Sequence, residues 1–204
     1  MQPATSIDEN QNTSQSIILS KKEIIEQTNR VKITTPSLQG SINLQGGVLD
    51  DLILLKYNEK LNDNSKKITL LSPDGTLNPY YIELGWKQLA NNNFSVELPN
   101  LQTNWSASSF NLTPQNPVTL SWTNNQNIKF EIYFEIDDNY LFDITQKIEN
   151  NSSSNLEIFP YRLIKRINMP ETINFFILHE GLISLLNDKL LEKNYDDLLD
   201  DCSS

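Results

Sequence analysis

The chain contains one histidine, and its neighbour in the sequence is acidic, so this pair is the first place to look for chemistry. His179 is followed by Glu180. Zinc proteases use the pattern His-Glu-x-x-His, which places two imidazoles one helical turn apart so that both face the metal. Here Ile183 stands where the second histidine would be, and the chain has no other. We therefore predict that His179 is a structural residue at the end of a buried strand, without metal or turnover.

Two pairs of adjacent carboxylates, Asp50–Asp51 and Asp137–Asp138, are the next candidates. Paired carboxylates can hold calcium or divide the roles of general acid and general base. Both pairs lie beside turn signals, where aspartate is common because its side chain bonds to nearby backbone amides. The prediction for both pairs is therefore turn chemistry.

Large aromatic residues form the third candidate group. Such rings line carbohydrate clefts, but they also build the cores of β-sandwiches, and the core is the role predicted here. The residues concerned are Tyr57, Tyr80, Tyr81, Trp86, Trp105 and Trp122. The sequence thus predicts no catalytic residue, no cofactor-binding residue, no metal ligand and no cofactor.

Composition excludes several classes of function. The formal net charge of −10 argues against binding nucleic acid or anionic headgroups, because each such contact needs a lysine or arginine. The single cysteine, Cys202, excludes an internal disulfide and a cysteine-rich metal site. The longest apolar stretch, Ile173–Leu186, is interrupted by His179 and Glu180 and falls short of the ~18 residues of a membrane helix. We expect no membrane span and no signal peptide in this chain.

The stretch Lys129–Glu149 predicts the element around which the fold is built. Large apolar residues alternate with polar ones on both sides of a short Asp/Asn turn at Asp137–Asn139. Alternation with period two on two arms indicates a β-hairpin with one buried face. The side chains expected on that face are Phe130, Ile132, Phe134, Ile136, Tyr140, Phe142, Ile144 and Ile148.

Shorter alternating runs separated by turn residues predict further strands, typical of an antiparallel sandwich. They begin at Arg30 and include Leu38–Leu44, Val48–Tyr57, Ile68–Leu71, Tyr80–Trp86, Val118–Trp122, Leu156–Ile164 and Ile173–Leu178. Leu182–Leu186 is predicted to pair with Ile173–Leu178, and the leucines from Leu190 onward predict a short helix. Residues 1–29 are polar and predict a disordered linker before a domain over 30–204.

Six segments in the same order resemble the periplasmic domain of the YidC family of membrane protein insertases, particularly its alphaproteobacterial members. Together they cover nearly the whole run after Arg30. They are Arg30–Tyr57 (RVKITTPSLQGSINLQGG and onward), Leu70–Trp86 (LLSPDG and PYYIELGW), Leu112–Trp122 (LTPQNPVTLSW), Phe130–Asn150 (FEIYFEIDDNYLFDITQKIEN), Phe176–Gly181 (FILHEG) and Leu190–Leu198 (LLEKNYDDL).

The resemblance implies an all-β fold, an antiparallel super-sandwich similar to that of galactose mutarotases. It implies a place on the periplasmic face of the bacterial inner membrane and an accessory, partner-binding role without catalysis. The partners it implies are the SecD/SecF auxiliary subunits of the Sec translocon and the remainder of the insertase. A carbohydrate-binding or mutarotase-like sandwich is the alternative function.

The chain also departs from the family pattern. Family members begin with a membrane helix and continue, past the point matching Ser204, into the last strands of the domain and five further membrane helices. We therefore expect a fragment in which the sandwich is truncated at its C-terminal end.

Overall fold

The computed structural model describes residues 19–62, 65–88, 95–168, 179–195 and 197–198. One short helix precedes thirteen strands, so the described fold is all-β. In chain order the elements are α1 (Lys21–Glu26), β1 (Arg30–Thr34), β2 (Leu38–Asn43), β3 (Val48–Asn58), β4 (Lys67–Leu71), β5 (Tyr80–Gln88), β6 (Ser106–Ala107), β7 (Asn111–Leu112), β8 (Val118–Thr123), β9 (Ile128–Ile136), β10 (Phe142–Asn150), β11 (Ile158–Arg166), β12 (Gly181–Leu186) and β13 (Lys189–Asn194).

The chain divides into two compact units, residues 1–166 and residues 167–204. The first unit contains a large sheet with the strand order β11-β5-β3-β2-β1-β7, in which β4 also pairs with β3. Its strands pair antiparallel, except that the short β7 lies parallel to β1. Gly46 and Gly47 take positive φ angles of 80° and 67° in the turn between β2 and β3, which glycine adopts without strain.

The second sheet of the first unit has the order β10-β9-β8-β6, and the predicted hairpin forms one end of it, with β10 at the edge. Strands β9 and β10 pair from Phe142 opposite Ile136 to Asn150 opposite Ile128, which confirms the hairpin. Tyr140 was predicted on the inward face of the second arm, and this is wrong. It lies in the connection before β10 and is 38% exposed, because the turn is longer than its Asp/Asn residues suggested.

The two sheets of this unit enclose one hydrophobic core, which confirms the predicted sandwich. Burial alternates along β9 in the pattern expected for a strand with one face in the core. The ring of Trp86 on β5 lies 5.1 Å from that of Phe130 on β9, and Gln146 Nε2 on β10 donates to the Gly85 carbonyl on β5 at 2.9 Å. The fully buried side chains come from both sheets: Val31, Ile33, Leu38, Ile42, Leu49, Leu112, Val118, Leu120, Ile128, Phe130, Ile132 and Phe134.

The second unit contains a hairpin that differs from the sequence prediction. Strand β12 pairs with Lys189–Asn194, so the helix predicted from Leu190 onward is wrong for Leu190–Asn194, whereas Tyr195, Asp197 and Leu198 are helical. The partner predicted for Leu182–Leu186, Ile173–Leu178, lies outside the described residues. Asn187 and Asp188 take φ angles of 50° and 61°, the left-handed conformations that a two-residue hairpin turn requires. Neighbouring side chains of a strand point to opposite faces, so the adjacent Leu190 and Leu191 do not show the alternation of a strand with one apolar face. This is why the sequence pattern there indicated a helix.

Three short elements escaped the sequence analysis. Helix α1 lies inside the segment predicted as a disordered linker, and its start carries a capping box formed by Ser20 and Glu23. Strands β6 and β7 are each two residues long, which is too short for alternation to be visible. Strand β6 directly follows Trp105, and β7 includes Leu112. The predicted strand Leu156–Ile164 is confirmed with bounds shifted to Ile158–Arg166.

Candidate functional site

The Asp50–Asp51 pair lies within β3, close to its start, so its assignment to a turn is wrong. Opposite β2, Ser41 faces Asp51 while Ile42 faces Leu49, which leaves Asp50 as an extra residue in β3. Such a β-bulge interrupts the alternation of side chains along a strand. Leu49 therefore still enters the core, while both carboxylates reach cations on the outer side of the large sheet.

Both carboxylates are matched by cations within a compact charge cluster, defined here as Lys21, Arg30, Ser41, Asp50 and Asp51. The guanidinium of Arg30 pairs with Asp50 Oδ1 and donates from Nε to Ser41 Oγ at 2.7 Å. Ser41 Oγ donates to Asp51 Oδ2 at 2.7 Å, and Lys21 Nζ lies 2.7 Å from Asp51 Oδ1. Charges of opposite sign therefore alternate along the cluster.

Burial raises the pKa of Asp50 from its ordinary 3.8 to about 6, although the Arg30 guanidinium opposes this shift. The side chains of Arg30 and Asp50 are both only 6% exposed, so desolvation of the carboxylate outweighs the attraction of the arginine. Asp50 thus changes charge near the range where histidine normally titrates. Within the described ranges no three His, Cys, Asp or Glu side chains converge in a way that would hold a metal ion.

The second aspartate pair forms a turn, as predicted. Asp137 Oδ1 accepts hydrogen bonds from the backbone amides of Asn139 and Leu141, both at 2.9 Å. These bonds favour the ionised form and lower the pKa of Asp137. The carbonyl of Asp138 accepts from Ser37 Oγ at 2.7 Å and ties the turn to the large sheet. The pair therefore shapes the β9–β10 connection.

His179 and Glu180 lie directly before β12 in the second unit. The Glu180 carbonyl accepts a hydrogen bond from the Tyr195 amide at 3.1 Å, extending the hairpin pairing beyond β13. His179 Nε2 is buried and has no hydrogen-bond partner among the described residues. The buried strand predicted to end at His179 falls on residues outside the described ranges, so its structural role stays a prediction.

The predicted aromatic residues mostly build the core. The ring centroids of Trp86 and Trp105 are 6.1 Å apart, and Trp86 packs edge-on against Phe130. The ring centroids of Phe130 and Trp122 are 5.8 Å apart. Trp86 and Trp105 are both buried, so neither offers a ring to a ligand. The rings of Tyr57 and Tyr140 pair 5.9 Å apart near the surface. The carbohydrate cleft that these residues were weighed for does not form around the tryptophans.

Two of the depressions in the first unit are relevant to the candidate sites. One, of about 270 Å³, lies on the outer side of the large sheet and is bordered by Ile24, Asp50, Asp74 and Tyr81. The other, of about 180 Å³, is an apolar groove between the sheets, lined by leucines of β2–β4 together with Phe142 and Ile164. The described helix is only six residues long, and none in the described part of the chain could cross a membrane.

Fold and candidate sites together define an all-β sandwich domain in which Asp50, Asp51 and Asp137 bind cations or backbone amides of the same domain. A family model described as the YidC periplasmic domain matches residues 30–204, which agrees with the resemblance seen in the sequence. The chain therefore belongs to the YidC periplasmic domain family, and its sandwich is a periplasmic domain by that family assignment.

Curated relatives agree with the family. The chain is 41% identical over 179 residues to the membrane protein insertase YidC of Methylorubrum extorquens, a match covering 87% of this chain and 28% of the relative. It is 40% identical over 196 residues to that of Pelagibacter ubique, covering 96% and 34%, and 44% identical over 176 residues to that of Rickettsia rickettsii, covering 85% and 30%. The chain thus spans about a third or less of the length of these relatives.

Proposed function

We propose that this chain acts as the periplasmic domain of a YidC-type membrane protein insertase. The match of residues 30–204 to that family carries the proposal, supported by relatives that are named membrane protein insertases. In this role the domain assists the insertion and folding of inner-membrane proteins, and it contributes binding surfaces instead of catalysis. Residues 1–29 serve as the connection that leads into a domain over 30–204.

The chemistry of the described sites supports a role without catalysis. A general acid or base needs a titratable group within reach of a substrate. Asp50 is ion-paired with Arg30 under near-complete burial, and Asp137 is committed to backbone amides of its own turn. Exposed apolar side chains are instead the groups through which the described part of the chain could contact another molecule.

Strand β11 supplies such an apolar surface. Phe159 and Leu163 lie on the same face of β11 and are 51% and 44% exposed, although β11 is fully paired with β5 along one side. Exposed apolar side chains clustered on one strand mark contact sites more often than isolated ones do. We assign this strand as a contact surface for the remainder of the insertase or for the SecD/SecF subunits of the Sec translocon.

Complementation tests the proposed role. The chain, carrying an added export signal, would be expressed in a bacterium depleted of its insertase, with and without the membrane part of a YidC relative. We expect growth only with both parts, because a polar path through lipid must be carried by spanning elements. Growth supported by the chain alone would contradict an accessory role.

Crosslinking tests the contact surface on β11. A photoreactive amino acid at Leu163 should give adducts with the membrane part of the insertase, SecD or SecF in cells. Thr145, exposed on β10, is the matched control position. Adducts of equal yield from both positions, or none from Leu163, would remove β11 from the proposed interface while leaving the family role to the complementation result.

A further inference from the structure

The segment before the sandwich is attached to it by polar contacts and by partly buried apolar side chains. We call residues 19–27, which include α1, the N-terminal strap. Leu19, Ile24 and Ile25 are each partly buried, so apolar burial contributes to holding the strap in place, although no residue of α1 is fully buried. Its capping box satisfies only its own amides, because Ser20 and Glu23 bond to each other. The polar part of the attachment must therefore come from bonds between the strap and the first unit.

Lys21 makes the strongest of these bonds. Its Nζ lies 2.7 Å from Asp51 Oδ1 and donates to the Leu71 carbonyl at 2.8 Å, so one ammonium joins β3 and β4. The remaining described contacts are weaker: the Leu19 amide donates to the Gly75 carbonyl at 3.2 Å, and Ile24 lies against Gly75. Among the described contacts between the strap and the sandwich, Lys21 therefore makes the one ion pair.

The surroundings of the Lys21–Asp51 pair make it stronger than an ordinary surface pair. The two side chains are 22% and 11% exposed, whereas those of the neighbouring Lys22–Glu26 pair are 83% and 63% exposed. Screening by water reduces the contribution of an exposed ion pair to stability to almost nothing. A buried carboxylate that loses its partner, in contrast, is strongly destabilising, because its desolvation is no longer compensated. Asp51 also adjoins the carboxylate of Asp50, so loss of Lys21 would leave the charge cluster one cation short.

We propose that the N-terminal strap is a releasable element that Lys21 fastens to the charge cluster, and that it opens as a unit while the sandwich stays folded. The strap is external to the hydrophobic core, whose buried residues begin at Val31. When it opens, Ile24 leaves the border of the 270 Å³ depression, and the outer side of β3 with Asp50 becomes accessible. The strap thereby controls access to this face.

Hydrogen exchange on the whole chain tests the proposal, with cleavage by a glutamate-specific protease at Glu23 and Glu26 as a second readout. Lys21→Gln should accelerate exchange and cleavage in the strap about tenfold, the change expected when a partly buried ion pair is lost. Lys21→Arg should restore most of the protection, because it retains the charge. Lys22→Gln breaks only the exposed pair and should leave both rates unchanged.

Exchange in the peptide covering Ile128–Ile136 reports on the sandwich in the same samples. Protection there should be equal in all variants, because β9 lies in the core and away from the strap. If Lys21→Gln leaves the strap protected, Lys21 is not its fastening. If strap and β9 lose protection together, the strap does not open independently. Either result overturns the proposal.

Discussion

At the residue scale, the position of one extra residue in β3 determines where charge is buried. Asp50 interrupts the pairing with β2, and the interruption allows two adjacent carboxylates to lie on the outer side of the sheet. Without the bulge, one of them would face the core, where an unpaired carboxylate is costly. Ser41 then links the two ion pairs, since its hydroxyl accepts from Arg30 and donates to Asp51.

The raised pKa of Asp50 gives a pH-dependent prediction. The folded chain holds the Asp50 proton more tightly than the unfolded chain, so this group favours the folded state at low pH. That contribution is lost as the pH rises from about 4 through the folded pKa of about 6. The free energy of unfolding of the wild type minus that of Asp50→Asn should therefore fall over this range by on the order of 3 kcal/mol.

Urea titrations of both proteins between pH 4 and pH 7.5 would measure this difference, and other carboxyl groups cancel in it. Thr145→Ala, at an exposed position of β10 without a titratable side chain, is the control and should show no such slope. A difference that stays flat, or that rises with pH, would show that Arg30 dominates the environment of Asp50.

A second prediction at this scale concerns His179. We expect the purified chain to bind no zinc through His179, because no second histidine or cysteine pair accompanies it. Metal analysis after dialysis, with His179→Ala as the comparison, would test this. Stoichiometric zinc that disappears in the variant would contradict the expectation.

At the element scale, the β9–β10 hairpin shows how far a periodic pattern carries a prediction. Strand β9 was predicted correctly because four large apolar residues alternate without a break, and all of them are buried. Strand β10 follows the same pattern but is only half-buried on its inward face. Being at the edge of its sheet, it has a paired neighbour on one side among the described strands.

The alternation on β9 predicts opposite outcomes for two neighbouring substitutions. Phe134→Ala should lower the free energy of unfolding by about 3–5 kcal/mol, because it leaves a cavity in the core. Glu135→Ala, on the exposed face, should change it by no more than about 0.5 kcal/mol. Urea titrations would measure both, and similar losses at the two positions would mean that the assigned faces are wrong.

A close approach between strands gives a further prediction. A Cβ atom added to Gly40 on β2 would lie 2.0 Å from the Asp51 carbonyl oxygen, and backbone cannot move aside as a side chain can. We expect Gly40→Ala to destabilise the chain by more than about 2 kcal/mol, whereas Gln39→Ala, at an exposed neighbouring position, should be almost neutral. Thermal unfolding of both variants would test this. Equal melting temperatures for the two variants would mean that the backbone of β3 does not approach Gly40 so closely.

At the scale of the whole molecule, the sequence predicted the sandwich and most of its strands but not the charge cluster on the outer side of the large sheet. Alternating runs such as Val118–Trp122 contain their own evidence, because period two is a local property. The charge cluster brings together residues 21, 30, 41, 50 and 51, and it depends on the β-bulge in β3. The position of a bulge cannot be predicted from a local sequence pattern. Helix α1 was the exception that could have been found, since Ser20 and Glu23 have capping-box spacing.

The location of the core predicts the effect of shortening the chain. Every described residue of the core, including those packed at its border, lies between Val31 and Ile158. We expect a chain ending after Arg166 to unfold cooperatively, with a melting temperature within about 5 °C of the original, because the first unit retains its buried surface. Loss of the cooperative transition would show that residues 167–204 are needed for the sandwich.

The parallel pairing of β1 with β7 bears on the order in which the chain assembles during synthesis. Strands β1, β2 and β3 are joined by short turns and can pair as soon as they emerge, but Lys32 must wait for Asn111. Until then, the outer edge of β1 presents unpaired amides and carbonyls to its surroundings. During synthesis, β1 is consequently the strand at which pairing with a wrong strand is easiest. Once the two residues of β7 have been synthesised, they can pair with β1 and block this mispairing.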